Sequence, residues 1–560
     1  MKNFKVVLAA IAICAAILLP ASLQAQPMML IAGSSAMFNG MAYSAGLVNS
    51  GGYILCGTNT TAHYWSRSNG AAVHDSRNAN ITDEIGHVWI VWNNDAVTSG
   101  PNPKVCAYIS IDSTVGVRAA LAVPANTFTF VNSNCAGGNC VGSAGSGRIP
   151  NWGTEEPLPQ AIYDALQGQP IQIGAADIRP EDAKFATVRA LTAQGTRPAN
   201  TSLFATGLGY GGAFGPFIGY PIKSYFSGAQ ATPVDFALYG NDPLSGSPAV
   251  AWFTANVGAG PVMIFGNTNN TATGHVGDPA YTNINLDTIA KVWDGTFHRT
   301  RDAFVANPAR VGPDPEVGLN VWMREGLSGT MNTFEFNGPN TFSNFTTQEK
   351  GVTAVAPLPA ADNPLHQTGT VNGTPYGRYR AVGTGDMVSA VKGMTDSVGY
   401  AFWGYGNFSS PSNLKYFTVN GIDPLYASPS GGVFPVKSGS TYPVLTFPNV
   451  VSGAYPIWTT FRLVYTPLAQ KSVVDLLVSV AQQDQITQLI SDYVAATKLQ
   501  VFRSHYYQMQ FGGANGHVYD SGSSQYFREF GGDINGQVFA IQADYDSITD
   551  TGKEITDQHE

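Results

Sequence analysis

The sequence predicts an α/β fold. Strand-like and helix-like segments alternate through most of its 560 residues, which favours α/β domains. Three apolar runs, MMLIA (28–32), IQIGAADI (171–178) and VGLNVWMRE (317–325), each lead through a turn into a helix-like segment. Gly and Pro are frequent, with 62 and 34 residues, which suits short elements joined by tight turns.

The individual elements follow from periodicity and from their end signals. Apolar runs, several of them rich in β-branched and aromatic residues, predict strands, here at 28–32, 87–92, 105–111, 171–178, 260–267, 317–325, 397–406 and 459–467. Apolar residues at helical spacing, in several cases followed by glycine, predict helices, here at 38–47, 158–168, 284–295, 328–336, 385–394 and 472–499.

The first 25 residues have the pattern of a secretory signal. Lys2 and Lys5 precede an apolar run (6–19), and small and polar residues follow up to Ala25. We therefore expect cleavage after Ala25 and a periplasmic or secreted protein. The run is shorter than the roughly 20 residues that span a bilayer, so membrane insertion is not expected. Cys14 lies inside the run, and lipid anchoring is the minor alternative.

Four cysteines remain after this cleavage, namely Cys56, Cys106, Cys135 and Cys140. An even number in an exported chain favours disulfides. Cys135 and Cys140 flank a short Gly-rich loop and are expected to pair, which leaves Cys56 with Cys106, although three pairings are open in principle. A metal site is the alternative, but no CxxC or neighbouring histidine pattern supports it. All four lie in 45–140, which we interpret as a disulfide-containing insertion.

Charge and missing motifs narrow the function classes. With 29 basic and 38 acidic residues the chain lacks the basic footprint of a nucleic-acid binder. Because its net charge of −9 repels anions, any anion site must act through local dipoles. The chain has no HExxH, GxSxG or phosphate-loop lysine motif, so we predict no enzyme and no cofactor. The acidic run DYDSITD (544–550) is interpreted as a solvated tail, with a calcium loop as the alternative.

Three strand–turn–helix junctions are candidate anion contacts: AGSSAMFN (32–39), GAADIRPEDA (174–183) and REGLSGTMNTF (324–334). Each places unpaired N–H groups and small hydroxyl residues at a helix N-terminus, where an anion is favoured. Arg324 adds a fork of donors that matches an oxyanion. The carboxylate of Asp177 can accept a hydrogen bond from a ligand that carries a proton, such as hydrogen phosphate, but it would repel fully ionised sulfate. The alternative for each junction is purely structural, as a helix cap or a salt bridge.

These motifs, in this order, resemble those of a known protein family. REGLSGTMNTF is similar to the Arg-x-x-x-Ser-Gly-Thr motif of the phosphate-binding proteins of ABC importers. GAADIRPEDA resembles their Asp-containing loop, and AGSSAMF resembles their first ligand loop. TGDMVSAVKGMTDSVGYAFWGY (384–405) and YPIWTTFRLVY (455–465) resemble segments that follow the motif. The resemblance covers most of the chain outside about 45–140 and 185–255.

The resemblance implies a two-lobed periplasmic-binding-protein-like (type II) fold with crossover strands. Lobe 1 would hold 26–255 and 456–560, including the insertion 45–140, and lobe 2 would hold 256–455. An interlobe cleft would bind phosphate or a similar oxyanion, with an ABC permease as a candidate partner. The implied ligand contacts are Ser34, Ser35, Met37, Phe38, Ser143 (with Ser146 as a second choice), Asp177, Arg324, Ser328, Gly329 and Thr330. The alternative function is a surface, structural or sensor protein that keeps this fold with a lost or altered ligand.

Overall fold

The fold is seen in a computed structural model of the full chain. The structure describes residues 27–47, 55–56, 62–79, 83–93, 104–131, 144–145, 147–150, 152–184, 186–187, 235–305, 314–324, 326–339, 348, 369–381, 383–439, 441–500, 507–509 and 527–529. The predicted signal segment, the acidic run 544–550, Cys135, Cys140, Ser143 and Ser146 lie outside these residues.

Strands and helices alternate, as the sequence predicts. The strands are β1 (Pro27–Ser34), β2 (His63–His74), β3 (Glu84–Trp92), β4 (Val105–Ile111), β5 (Thr127–Phe130), β6 (Ile173–Ala176), β7 (Phe253–Asn267), β8 (Asn283–Ile284), β9 (Phe304–Val305), β10 (Asn320–Arg324), β11 (Gly369–Val371), β12 (Thr374–Ala381), β13 (Ser397–Phe402), β14 (Leu414–Val419), β15 (Trp458–Tyr465), β16 (Val494–Ala495), β17 (Tyr507–Met509) and β18 (Phe527–Glu529). The helices are α1 (Phe38–Gly46), α2 (Ser113–Leu121), α3 (Gln160–Leu166), α4 (Leu286–Trp293), α5 (Thr300–Ala303), α6 (Gly329–Asn337), α7 (Thr384–Gly393), α8 (Pro448–Val451), α9 (Lys471–Ala481) and α10 (Asp484–Thr487).

One large sheet forms the centre of the molecule, in the order β11-β12-β10-β13-β7-β15-β6-β1-β4-β3-β2-β5. We call β6, β1, β4, β3, β2 and β5 wing one, and β11, β12, β10 and β13 wing two. The strands that carry the predicted junctions are parallel within each wing, β1 with β4 and β6, and β10 with β12 and β13. Parallel neighbours place their carboxyl ends at the same sheet edge, where ligand sites of α/β proteins form.

Two antiparallel strands, β7 and β15, join the wings. The first part of β7 (253–261) pairs with β15, and its last part (262–266) pairs with β13. The other edge of β15 pairs with β6. The chain therefore crosses between the wings within these strands, which confirms the predicted α/β fold with crossover strands.

The stretch 45–140 is built into wing one. It contains β2 to β5 and α2, and β4 pairs directly with β1. Cys56 and Cys106 form a disulfide with their Cα atoms 5.8 Å apart, which is the predicted pairing. The stretch was interpreted as an insertion because the pairing of its predicted strand 105–111 with β1 joins segments that are distant in sequence.

Most predicted element types are confirmed, but two segments differ in extent. Strand β7 begins well before 260, because its first part pairs with β15. The predicted helical segment 472–499 holds α9 and α10 and then continues as β16, which pairs with β7. Among the described residues, no helix is both long and apolar enough to span a membrane.

Candidate functional site

Three loops of wing one meet at one edge of the sheet. Ser34 at the end of β1 lies in register with Ile111 at the end of β4, and Gly33 lies in register with Ala175 of β6. The residues that follow β4 and β6 are Asp112 and Asp177. The parallel register therefore gathers the predicted β1 turn and the predicted acid at one place.

Asp177 is buried and held by hydrogen bonds. Its Oδ1 accepts a hydrogen bond from Oγ of Ser113, the first residue of α2. Burial raises the pKa of Asp177 from 3.8 to about 6, while this hydrogen bond and the charges of Arg324 and Arg462 act in the opposite direction. A carboxylate with this pKa changes its charge close to neutral pH and can exchange a proton with a ligand.

Arg324 comes from the carboxyl edge of wing two and reaches wing one. It is 2% exposed, and its Nη2 lies 3.4 Å from Oδ1 of Asp112. Its Nη1 donates to Oγ1 of Thr384, the first residue of α7, over 3.0 Å. Its backbone N–H donates to the hydroxyl of Tyr400 over 3.0 Å. The guanidinium thus lies between the two wings in a fixed orientation.

Helix α6 begins directly against Asp177. A Cβ atom built on Gly329 would overlap Oδ1 of Asp177 and would crowd Oγ of Ser113. Further along the helix, Oγ1 of Thr333 donates to the backbone carbonyl of Asp177 over 3.3 Å. Only glycine permits this approach of a helix N-terminus to a carboxyl group of the other wing.

A second buried arginine belongs to this cluster. Arg462 lies on β15, 3% exposed, in register with Ala176 just before Asp177. The pairing of β15 with β7 is irregular between Phe461 and Arg462, and such bulges re-aim side chains. The charge of Arg462 lowers the pKa of Asp177. The cluster therefore contains two carboxyl groups and two guanidinium groups, all buried.

The four predicted residues of the first turn have local structural contacts. Oγ of Ser34 accepts a hydrogen bond from the backbone N–H of Ala36 over 3.2 Å and so caps the 3₁₀ turn. Ser35 is exposed, and its carbonyl accepts the N–H of Phe38. Met37 and Phe38 are buried in the main hydrophobic core.

This turn nevertheless lies close to Asp177. The hydroxyl of Tyr108 donates to the carbonyl of Ser34. Burial, and after it the charge of Asp177, raise the pKa of Tyr108 well above its usual range. Tyr108 therefore lies near both the turn and the acid.

The Ser-Gly-Thr stretch begins α6 as predicted. Oγ of Ser328 accepts the N–H of Met331 over 3.3 Å, as expected for a helix N-cap. Ser328 is fully buried and Thr330 is 5% exposed. The structure brings Arg324, Gly329 and Asp177 together in one cluster, with Ser328 capping the helix that contacts Asp177.

Four further residues of the cluster were not predicted from the sequence, namely Asp112, Ser113, Thr384 and Arg462. The segment VCAYISIDSTVG (105–116) is a strand–turn–helix junction like the three chosen ones, but it was assigned to the insertion. Ser143, one of the implied ligand contacts, lies outside the described residues. For Arg462 the signal was an arginine within the apolar strand TTFRLVY, because charged residues are rarely buried without a partner.

The described residues contain no group of three or more His, Cys, Asp or Glu side chains suited to a metal ion. The cluster itself offers two carboxyl groups beside two arginines. Anion recognition through N–H, hydroxyl and guanidinium donors suits this set better than cation binding.

Comparisons with known proteins give distant likenesses. No family model matches the chain, and the search of curated proteins finds no match. An ABC-type phosphate transport receptor from Vibrio cholerae is similar over 44% of this chain and 72% of its own, with 13% identity and a TM-score of 0.26. A phosphate-binding protein from Stenotrophomonas maltophilia is similar over 60% and 79%, with 11% identity and a TM-score of 0.28. A human phosphate binding apolipoprotein is similar over 72% and 86%, with 13% identity and a TM-score of 0.30. The fold is therefore assigned from the strand order of this chain and not from these likenesses.

Proposed function

We propose that the protein binds phosphate or a related tetrahedral oxyanion between its two wings. The observation that carries the proposal is the meeting of Asp177 and Ser113 of wing one with Arg324 and the start of α6 from wing two. Unpaired N–H groups and the dipole at a helix start favour an anion. A guanidinium adds paired donors that match two oxygens of one oxyanion.

The charges of the cluster favour a ligand that carries a proton. Asp112 and Asp177 balance Arg324 and Arg462, so the four side chains leave no large excess of positive charge for a fully ionised ligand. A protonated ligand oxygen can donate to the Asp177 carboxylate, whereas sulfate offers no such donor and is repelled. Hydrogen phosphate and hydrogen arsenate are therefore preferred over sulfate.

We also propose the setting in which this binding takes place. The basic start and the apolar run of the first 25 residues support export by a cleaved signal. With 26–255 and 456–560 as lobe 1 and 256–455 as lobe 2, the protein would act as a periplasmic receptor and deliver its anion to an ABC permease.

Calorimetry on the mature chain tests the proposal. Phosphate, arsenate, sulfate and molybdate are titrated in parallel, and phosphate is expected to bind at micromolar concentration or tighter. Arg324→Ala should weaken binding by a few kcal/mol, since it leaves buried negative charge unpaired. Arg301→Ala is the matched control, because Arg301 is half-buried and pairs with Glu316 away from the cluster. Equal affinity of both variants would refute the role of Arg324.

A second candidate is a surface or structural protein that keeps the fold without a ligand. It is favoured by the close contacts within the cluster, because Arg324 already pairs with Asp112 and Gly329 lies directly on Asp177. In that case the protein's own carboxylates take the place of an external anion. No binding of any of the four anions at millimolar concentration would support this candidate.

A further inference from the structure

A three-residue segment outside the cluster connects the two wings. Residues Ser491, Asp492 and Tyr493 lie between α10 and β16, and we call them the 491–493 clamp. They are 0%, 4% and 2% exposed. A buried segment outside regular secondary structure must find partners for its polar groups, and here the partners come from both wings.

The contacts with wing two involve the chain that follows β13. The backbone N–H of Tyr405 donates to Oδ1 of Asp492 over 2.9 Å. Nε1 of Trp403 donates to the carbonyl of Ser491 over 2.7 Å. Strand β13 is a direct neighbour of β10, which ends at Arg324. The clamp therefore holds the element next to the strand that carries the arginine of the proposed site.

The contacts with wing one involve the start of α1. Nδ2 of Asn39 donates to Oδ2 of Asp492 over 3.3 Å. The ring of Tyr493 lies so close to Gly40 that a Cβ atom there would overlap it. The Tyr493 hydroxyl donates to the carbonyl of Ala481 in α9 over 2.7 Å. Asn39 directly follows Phe38, the last residue of the predicted first ligand turn.

The two oxygens of the Asp492 carboxylate thus serve different wings. We propose that Asp492 is a positioning residue that fixes the wings relative to each other by accepting one hydrogen bond from Asn39 and one from the backbone of Tyr405. It touches none of the residues of the cluster and acts on them only through α1 and β13. This role does not depend on which anion, if any, the cluster binds.

The energetics of burial support a specific role for this carboxylate. Burial raises the pKa of Asp492 to about 6, against the effect of the hydrogen bonds from Tyr405 and Asn39. Keeping a charge in the interior costs free energy that an apolar residue of similar size would not cost. A role confined to packing would therefore not favour an aspartate at this position.

The test measures the distance between the wings without any ligand. Spin labels carried by unnatural amino acids at Ala161 of α3 and Ser389 of α7, both exposed, report this distance by double electron–electron resonance. Asp492→Ala and Asn39→Ala should each broaden the distance distribution and extend it to longer values, and the double variant should add little to either. Thr288→Ala is the control, because it removes a local side-chain hydrogen bond to the carbonyl of Asn285 at the start of α4.

The distance measurement tests the role of Asp492 independently of the proposed anion binding. Distributions identical to wild type in folded Asp492→Ala and Asn39→Ala would overturn it. If Asp492→Ala does not fold, Asn39→Ala decides alone, because it removes only the wing-one hydrogen bond. If phosphate binds the wild type, Asn39→Ala, which loses one hydrogen bond to a charged group, should bind it about tenfold more weakly. If phosphate does not bind, the distance measurement still decides.

Discussion

The buried carboxyl group of Asp177 makes a quantitative prediction about stability. Its pKa rises from 3.8 to about 6 in the folded protein because of burial. Each pKa unit corresponds to about 1.4 kcal/mol, so ionising Asp177 in the folded state costs about 3 kcal/mol more than in the unfolded chain. Asp177→Asn keeps the shape of the side chain and removes this ionisation.

The direction of the pH dependence follows from which state, folded or unfolded, binds the proton of Asp177 more tightly. The folded pKa is the higher one, so the folded state binds the proton more tightly between about pH 4 and pH 6. The stability that the protonated Asp177 contributes to the folded state is fully present below about pH 4 and is lost as the pH rises through 6. The free energy of unfolding of Asp177→Asn, minus that of the wild type, should therefore rise by about 3 kcal/mol from pH 4 to pH 8.

Urea unfolding followed by tryptophan fluorescence, in buffers without phosphate or sulfate, gives this difference at each pH. Subtracting the wild-type curve removes the contributions of all other titrating groups that the two proteins share. Asp475→Asn is the control, because Asp475 lies on the exposed side of α9. A difference that stays flat between pH 4 and pH 8, or that falls with rising pH, would refute the assignment of Asp177 as a costly buried acid.

The remaining predictions concern the neighbours of Asp177. Ser113→Ala removes the hydrogen bond that lowers the pKa of Asp177, so in the same unfolding series the loss of stability should begin near pH 4 as before but extend to higher pH and become larger. Gly329→Ala forces a Cβ atom into Asp177 and should lower the free energy of unfolding by about 1–3 kcal/mol. Gly385→Ala, in the first turn of α7 with open space around it, should cause no such loss. Asp177→Asn should change the ratio of phosphate to sulfate affinity in calorimetry, and an unchanged ratio would contradict the proton-acceptor role.

The fold class was predictable because the informative signals are local. MMLIA and VGLNVWMRE are apolar runs that end in polar turns, and the structure has β1 and β10 there, each followed by a helical turn or helix. The pairing of Cys56 with Cys106 followed from the close spacing of the other two cysteines. Arg324 and Asp177 were chosen from separate loops, and they lie in one cluster although they belong to different wings.

What could not be predicted depends on contacts between distant parts of the chain. Ser113 and Asp112 follow β4, and nothing local reveals that β4 pairs with β1 about 75 residues earlier in sequence. The length of β7 depends on β15, some 200 residues later. Asp492 could not be recognised, because its partners Asn39 and Tyr405 come from two other regions. A single sequence shows residue types and spacing, but it does not show these contacts between distant residues.

The dual pairing of β7 limits how the protein can be divided. A fragment that holds wing two alone needs 262–267, because these residues pair with β13 and β14. If the fragment keeps the whole of β7, the first part of that strand lacks its partner β15 and becomes an unpaired edge. A fragment encoding wing one alone meets the reverse problem at the other end of the same strand. Since unpaired edges of this kind invite association between chains, each half produced separately should aggregate, and co-production of both halves with β7 on only one of them should restore solubility.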